Sequence, residues 1–125
     1  MRLGFSAYDL SDGSVVDEVV VKIRNYIKSG HEIFVWASLP CAPWSAWQHV
    51  NGKTIEGMPQ RINTAREHSI VMALQFLRIA NELRDEPVHF AFEWPRNCEG
   101  WKQAEIKEIR RHLVYECTFD GCQYM

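Results

Sequence analysis

Two segments of the sequence place a chemically active side chain directly after an apolar stretch. Residues 38–45 read SLPCAPWS, with Cys41 between two prolines, and Glu93 closes the apolar run that begins at Val88. A thiolate can act as a nucleophile, and burial raises the pKa of a carboxyl group so that it can donate a proton near neutral pH. We therefore predict Cys41 and Glu93 as candidate catalytic residues.

Each of these two residues also has an ordinary structural interpretation. A cysteine after a buried strand is often a small apolar side chain of the core. A carboxylate at a strand end is often simply exposed to solvent. A nucleophilic role for Cys41 requires an electropositive or basic neighbour, which the sequence does not identify. Both interpretations of Cys41 and Glu93 stay open at this point.

Aromatic and polar residues flank the two segments and could bind a ligand. Aromatic rings stack on flat ligands, although most tryptophans pack in protein cores. An arginine after the second segment could bind an anionic group such as a phosphate. The predicted ligand-binding residues are Trp44, Ser45, Trp47, Asn51, Trp94 and Arg96.

The pattern of apolar residues predicts strands alternating with helices. Apolar runs or alternation predict strands over 2–10, 32–39, 88–93 and 114–119, and helical spacing predicts helices over 15–28, 61–84 and 101–113. Residues 41–59 lack periodicity, which is typical of a long functional loop. The run 32–39 shows no polar alternation, as in a strand that is covered on both faces. We expect one α/β domain over residues 1–125, with a small three-layer, mostly parallel sheet in the order β-α-β-α-β-α-β.

This arrangement predicts where a ligand binds. In a wound parallel sheet, ligands bind outside the carboxyl ends of the strands. Asp9, Cys41, Glu93 and Asp120 all lie at or just past predicted strand ends. We expect these four side chains to converge at one edge of the sheet.

Composition limits the class of protein. The 125 residues are 46% hydrophobic and 24% charged, with a net charge of −2, so the chain should fold, and no overall basic charge indicates nucleic-acid binding. The longest uncharged run, 33–48, contains two prolines and is too short to span a bilayer. We expect a cytoplasmic protein without a secretory signal, with its four cysteines reduced. Cys117 and Cys122 have C-x4-C spacing without a second pair, so we predict no metal site.

The two motifs resemble those of a known family. Residues 40–45, PCAPWS, resemble the Pro-Cys-x-x-Phe-Ser loop of the DNA cytosine-5 methyltransferases, and residues 92–94, FEW, resemble their Glu-Asn-Val strand end. Asp9 is similar in position to an acidic residue of that family near the cofactor. Residues 119–123, FDGCQ, resemble their Asp-Tyr-Gly-x-x-Gln segment.

The resemblance implies half of a Rossmann-like methyltransferase core that acts on DNA. It implies that Cys41 attacks C6 of a flipped cytosine, that Glu93 contacts N3 and that Asp9 binds S-adenosylmethionine. The sequence departs from the family because no Phe-x-Gly-x-Gly cofactor loop precedes the cysteine and no target-recognition region follows. Ala42 and Trp94 also replace the usual Gln and Asn.

A second resemblance leads to a different class of function. The whole chain resembles short uncharacterised phage and mobile-element proteins, from which no activity transfers. The alternative is therefore a non-enzymatic module that binds nucleic acid or a protein. A homodimer that completes its sheet or core across a partner is a further possibility.

Overall fold

The computed structural model describes residues 9–113 and 115–119, which form a mixed α/β fold. Its α-helices are α1 (Gly13–Lys28), α2 (Trp47–Thr54), α3 (Met58–Glu82) and α4 (Ala104–His112). Its strands are β1 (Ile33–Ala37) and β2 (Val88–Phe92), and two turns of 3-10 helix cover Ala42–Trp44 and Glu99–Lys102. None of the helices in this part of the chain is long and apolar enough to cross a bilayer.

The two strands form a parallel pair that ends at one edge. Ile33 lies opposite Val88 and Ala37 lies opposite Phe92. Parallel neighbours need a crossover connection, and α3 supplies most of it. The Glu93 N–H donates to the Ala37 carbonyl at 2.9 Å, so the pairing continues one residue past β2. The segments that follow β1 and β2 therefore start side by side.

Helix α1 ends where the sequence predicts and begins two residues earlier, at Gly13. The Asp12 carboxylate accepts the Ser14 N–H at 2.9 Å and caps the first turn. Gly30 follows the helix with φ of 84°, and the His31 N–H donates to the Tyr26 carbonyl at 3.1 Å. This is the Schellman geometry, in which a glycine adopts the left-handed conformation just past the last turn. The predicted helix over 15–28, with its stop at Gly30, is confirmed.

The core lies on one face of the sheet and has two parts. The first part joins α1, the end of α3 and the sheet, and consists of Val16, Val19, Val20, Ile23, Ile79 and Leu83. The second part joins α3, α4 and the loops after the strands, and consists of Ala37, Leu39, Trp44, Met72, Ala73, Phe76, Leu77, Trp94, Cys98, Ile106 and Ile109. The sheet residues that pack in or against these two clusters all belong to one face, namely Ile33, Val35, Ala37, Val88, Phe90 and Phe92.

The opposite face of the sheet is uncovered in the described part of the chain. Phe34 and Trp36 are 60% and 55% exposed there, and they lie opposite His89 and Ala91 of β2. The expectation that the run 32–39 is covered on both faces is therefore not met by these residues. The described part of the chain forms two layers, a sheet with helices on one side, rather than the three layers that we expected.

Several predicted elements need correction. Residues 41–59 are not one long loop, because they contain a 3-10 turn, all of α2 and the start of α3. The signals were present, since Gly57 has φ of 75° immediately before α3 and Pro59 occupies its first turn, where a missing N–H costs nothing. The predicted helix over 101–113 is split by Gln103 into a 3-10 turn and α4.

The predicted outer strands are not part of the sheet that the structure describes. Residues 115–119 form no strand, although 114–119 was predicted as one, and they are exposed. Burial rather than propensity decides whether such a segment pairs. Of the strand predicted over 2–10, residues 2–8 lie outside the described residues, and Asp9 and Leu10 are not in a strand.

Candidate functional site

Three side chains on the uncovered face form a hydrogen-bonded cluster around Glu93. The Ser38 hydroxyl donates to Glu93 Oε2 at 2.9 Å, and the Trp36 indole Nε1–H lies 3.1 Å from the same oxygen. The indole N–H also lies 3.1 Å from Ser38 Oγ. The alternation of side chains along a strand places residues 36 and 38 on one face. Glu93 follows Phe92, which lies opposite Ala37, so its side chain alternates onto the same face beside them. We call Trp36, Ser38 and Glu93 the carboxylate cluster.

Cys41 lies at the same edge but its side chain packs toward the helices. The thiol is half-buried against the second core cluster, and the Cys41 carbonyl accepts the Trp44 N–H at 2.9 Å to open the 3-10 turn. Cys98 belongs to that core cluster, and burial is the main cause that raises the pKa of its thiol. The two predicted catalytic residues therefore share a sheet edge, while Cys41 packs on the covered side and Glu93 lies on the uncovered one.

Trp44 and Trp94 are core residues that connect the two loops. They are 4% and 8% exposed. The Trp44 indole N–H donates to Ser69 Oγ at 3.0 Å, and the Trp94 indole N–H donates to the Leu39 carbonyl at 2.8 Å. Both rings lie against Gly100. Neither of these rings has an open face for a stacked base, although both were predicted to bind the ligand.

An arginine on α3 fixes the 3-10 turn that follows Cys41. Arg66 Nε donates to the Pro43 carbonyl at 2.9 Å, and its guanidinium carbon lies 4.8 Å from the centre of the Trp44 ring. Its Nη2 lies 3.4 Å from Glu99 Oε2, while His49 Nε2 lies 2.7 Å from Glu99 Oε1. The hydrogen bond from His49 is the largest of the effects that lower the pKa of Glu99. This network stabilises the loop and leaves Arg66 bonded within the protein.

The other predicted ligand-binding residues fall into two groups. Ser45 Oγ accepts the Trp47 N–H at 3.3 Å at the start of α2. Trp47 is 73% exposed, and Asn51 is half-buried on the same helix. Arg96 lies in the turn three residues after Glu93, is exposed, and has no hydrogen-bond or ion-pair partner among the described residues. Only Arg96 of these four follows the strand that carries Glu93.

Asp9, the predicted cofactor residue, is bonded within its own turn. Its carboxylate accepts the Ser11 N–H at 2.9 Å and the Ser11 hydroxyl at 2.6 Å. These bonds, with the hydroxyl first, lower the pKa of Asp9, and His68 on α3 adds a weaker effect in the same direction. The contact of Asp9 with a cofactor stays a prediction, and Asp120 lies outside the described residues.

Two surface grooves lie along α3. One has a volume of about 420 Å³ and is lined by Trp44, Asn63, Arg66, Glu67, Ile70 and Gln103. The other has a volume of about 440 Å³ and is lined by Gln60, Arg61, Thr64, Ala65 and His68. Neither groove is lined by Cys41 or Glu93. No three His, Cys, Asp or Glu side chains within the described ranges come together as metal ligands.

Two members of the carboxylate cluster were not predicted from the sequence. Trp36 and Ser38 were assigned to a buried strand and the loop that follows it, and not to a site. The signal that identifies them is their spacing, since residues 36 and 38 alternate onto one face of β1 and Glu93 continues the neighbouring strand. Glu99 had no comparable signal, because its partners come from α2 and α3.

Comparisons with known proteins do not assign a family. No family model, curated protein or solved structure matches this chain significantly. The resemblance to the cytosine-5 methyltransferases therefore rests on its motifs alone and stays a prediction. The geometry of the carboxylate cluster is the firmer basis for a function.

Proposed function

We propose that this chain is a nucleic-acid-binding domain that holds an unpaired base on the uncovered face of its sheet. The base stacks on the rings of Phe34 and Trp36, and its polar edge faces Glu93. One observation carries the proposal. A carboxylate, held by the Ser38 hydroxyl and the Trp36 indole N–H, lies beside exposed aromatic rings.

The aromatic rings supply a surface of suitable shape. The ring centres of Phe34 and Trp36 lie 6.1 Å apart and their planes are inclined by 37°. Stacking of a base on an aromatic side chain is worth about 1–3 kcal/mol, and it tolerates any base because every base has a flat face. Binding would also cover apolar surface that the described part of the chain leaves in water.

The turn after β2 supplies a positive charge for the backbone of the ligand. Arg96 is exposed and has no partner among the described residues, so its guanidinium is available for a phosphate oxygen. A single local cation is compatible with a net charge of −2, because a contact to one phosphate does not need an overall basic surface. The presence of Arg96 favours a nucleotide over an uncharged heterocycle.

Titration of fluorescent single-stranded DNA and RNA oligonucleotides tests this proposal. Phe34→Ala should weaken binding about 5- to 100-fold through loss of stacking, whereas Trp47→Ala on α2 should leave it unchanged. Glu93→Gln should also change binding, while Glu18→Gln, the same change on the helical side, should not. Circular dichroism and denaturant unfolding check that each variant folds.

The outcomes of this titration separate the alternatives. Loss of binding in Trp47→Ala but not in Phe34→Ala would move the binding surface to α2 and reject the sheet face. Light scattering addresses the homodimer. If a second copy covers the sheet face, the chain will dimerise in the micromolar range, Phe34→Ala will abolish the dimer, and oligonucleotides will not bind.

The second candidate is covalent cytosine chemistry at Cys41. It is favoured by the in-register pairing of β1 and β2, which brings the segments of Cys41 and Glu93 to one edge in the order that the methyltransferase motifs require. This chemistry requires S-adenosylmethionine as methyl donor. It also requires a larger wound sheet, one that corresponds to half of a Rossmann-like core. Incubation with S-adenosylmethionine and a 5-fluorocytosine oligonucleotide should then give a covalent adduct that Cys41→Ser abolishes, because the methylated C5 carries fluorine and has no proton to lose when the thiol leaves. Oligonucleotide binding without an adduct, unchanged in Cys41→Ser, would reject it.

Either function suits a reducing compartment. Cys41, Cys98 and Cys117 are free thiols in the described part of the chain. Cytoplasmic residence is therefore part of the proposal. Expression of a tagged chain in cells, followed by fractionation, would test it.

A further inference from the structure

The carboxylate cluster has a donor and acceptor pattern that selects among bases. We propose that the base held at Glu93 is guanine. This inference rests on the proposed function, since it names the ligand of the same site. The inference follows from the hydrogen-bond donors and acceptors of the cluster, some of which bond within the cluster and some of which remain open to a ligand.

The cluster uses up its own donors. The Ser38 hydroxyl has one proton, which goes to Glu93 Oε2, and the Trp36 indole has one N–H, which also points at Oε2 and Ser38 Oγ. Glu93 Oε1 accepts no hydrogen bond from any described residue. Oε1 therefore keeps two acceptor positions, and Ser38 Oγ keeps one. The cluster offers acceptors to a ligand and no donor.

Guanine has the base edge that complements such a site. Its Watson–Crick edge carries the N1–H and the N2 amino group side by side, so two adjacent donors face the acceptors. Adenine and cytosine each place one amino group beside a ring nitrogen acceptor, and uracil and thymine place one N–H between two carbonyl oxygens. The edges of adenine, of cytosine and of uracil or thymine therefore each turn an acceptor toward the carboxylate. This contact is repulsive and leaves that acceptor without a hydrogen bond.

The carboxylate lies beside the ring on which the base stacks. The N–H of an indole lies in the plane of its ring, so Glu93 Oε2, its acceptor, lies near the edge of Trp36. A base that stacks on the exposed face of that ring reaches past this edge with its own polar edge. The large base surface on Phe34 and Trp36 and the specific contacts to Glu93 therefore act on one ligand.

A guanidinium group also has adjacent donors and stacks on tryptophan, so the side chain of an arginine-containing peptide is the competing ligand. The site favours the base for two reasons. The pair of rings offers more surface than one guanidinium covers, and the exposed Arg96, three residues after Glu93, suits a ligand that carries a phosphate.

The test uses oligothymidylates of one length with a single central dG, dI, dA or dC, together with the plain oligothymidylate. One guanine avoids the four-stranded structures of guanine runs. We expect the dG oligonucleotide to bind about tenfold tighter than the dA, dC and plain ones, since a good two-bond contact discriminates by roughly that factor or more. Hypoxanthine in dI keeps N1–H and lacks the amino group, so dI should fall in between.

Glu93→Gln gives a readout that a merely structural role would not change. If the glutamine oxygen takes the place of Oε2 toward Ser38 and Trp36, its amide N–H takes the place of Oε1 and faces the base as a donor. The preference for dG should then disappear, and the dA and dC oligonucleotides, which offer ring nitrogen acceptors, should gain relative to dG. Glu18→Gln should keep the original order.

The possible failures are distinguishable. If the oligonucleotides bind equally well and Phe34→Ala weakens them all, the guanine inference fails and the proposed function stands. If none of them binds, both fail. If arginine amide displaces a bound dG oligonucleotide more effectively than guanosine monophosphate does, the site recognises a guanidinium and the guanine assignment is overturned.

Discussion

At the scale of single residues, Gly100 is where the two strand-end loops meet most closely. It lies between Trp44, which follows the Cys41 segment, and Trp94, which follows Glu93. The Trp94 indole N–H and the Leu39 carbonyl join the same loops through a buried hydrogen bond. A bond of this kind is costly to lose, because its carbonyl has no water to replace the donor. Single contacts thus fix the sheet edge that carries Glu93.

Gly100→Ala should destabilise the protein. A Cβ at this position would overlap with Trp94 Cζ3 and lie 3.0 Å from Trp44 Cγ, so two buried rings would have to move. Overpacking of this kind costs about 1–3 kcal/mol of the free energy of unfolding, which urea denaturation measures. Gly52→Ala is the control, because its Cβ would lie 3.7 Å from Ile62 Cδ1, at ordinary contact, within α2. If the midpoint of urea unfolding is the same for Gly100→Ala as for the original protein, the two rings do not restrict the space at this residue.

At the scale of elements, local chemistry sets both ends of α1, and it does not set the environment of the strands. The end of α1 follows from Gly30, whose left-handed conformation other residues adopt at a cost. The strand β1 has an apolar residue at every position, so its sequence alone does not say which side is open. Only the packing of α1 and α3 against Ile33 and Val35 leaves Phe34 and Trp36 in solvent.

Gly30→Ala should therefore destabilise α1 at its end. An L-residue at φ of 84° is strained by about 1–2 kcal/mol, although nothing lies within 4 Å of the added Cβ. Urea unfolding should show a loss of this size. Gly13→Ala, at the start of the same helix and at ordinary contact distance from Arg78, should be neutral or slightly stabilising. Equal effects of the two substitutions would contradict the role given to the left-handed turn.

At the scale of the whole molecule, several carboxylates are stabilised in their charged form. The pKa of Asp9 and that of Asp12 are lowered, chiefly by hydrogen bonds from Ser11 and Ser14 side chains. The pKa of Glu99 is lowered chiefly by the hydrogen bond from His49. A carboxyl group with a lower pKa in the folded state binds fewer protons than in the unfolded state, so it stabilises the fold above its ordinary pKa.

The protein should therefore lose stability in acid. The contribution of Glu99 is complete above its ordinary value of 4.5 and is lost as the pH falls through its lower folded value. Urea unfolding at a series of pH values measures this slope. Glu99→Gln should flatten it, whereas Glu56→Gln, at an exposed residue with no hydrogen-bond or ion-pair partner among the described residues, should not. A slope that Glu99→Gln leaves unaltered would show that the His49 contact does not stabilise the fold.

Much of the fold could be predicted from the sequence, because the positions of α1, β1 and β2 depend on residues that are close together in the chain. Helical spacing and Gly30 located α1, and the apolar runs located β1 and β2. The strand-helix-strand order predicted their parallel pairing, because a crossover helix returns the chain in the same direction. That pairing in turn placed the segments of Cys41 and Glu93 at one edge. These inferences need only local patterns and a connection rule.

The tertiary structure alone decided which side chains share a surface. Trp44 and Trp94 looked like ligand contacts in the sequence. They are buried because each has a partner distant in sequence, Ser69 for Trp44 and the Leu39 carbonyl for Trp94. Cys41 and Glu93 lie at the same edge of the sheet, yet their side chains lie on opposite faces. Cys41 packs with the helices, and Glu93 binds Trp36 on the uncovered face. Burial depends on partners from elsewhere in the chain, and no local pattern contains them. The sequence by itself determined that Cys41 and Glu93 lie at one edge of the sheet. Packing determined that the Glu93 carboxylate lies on the uncovered face.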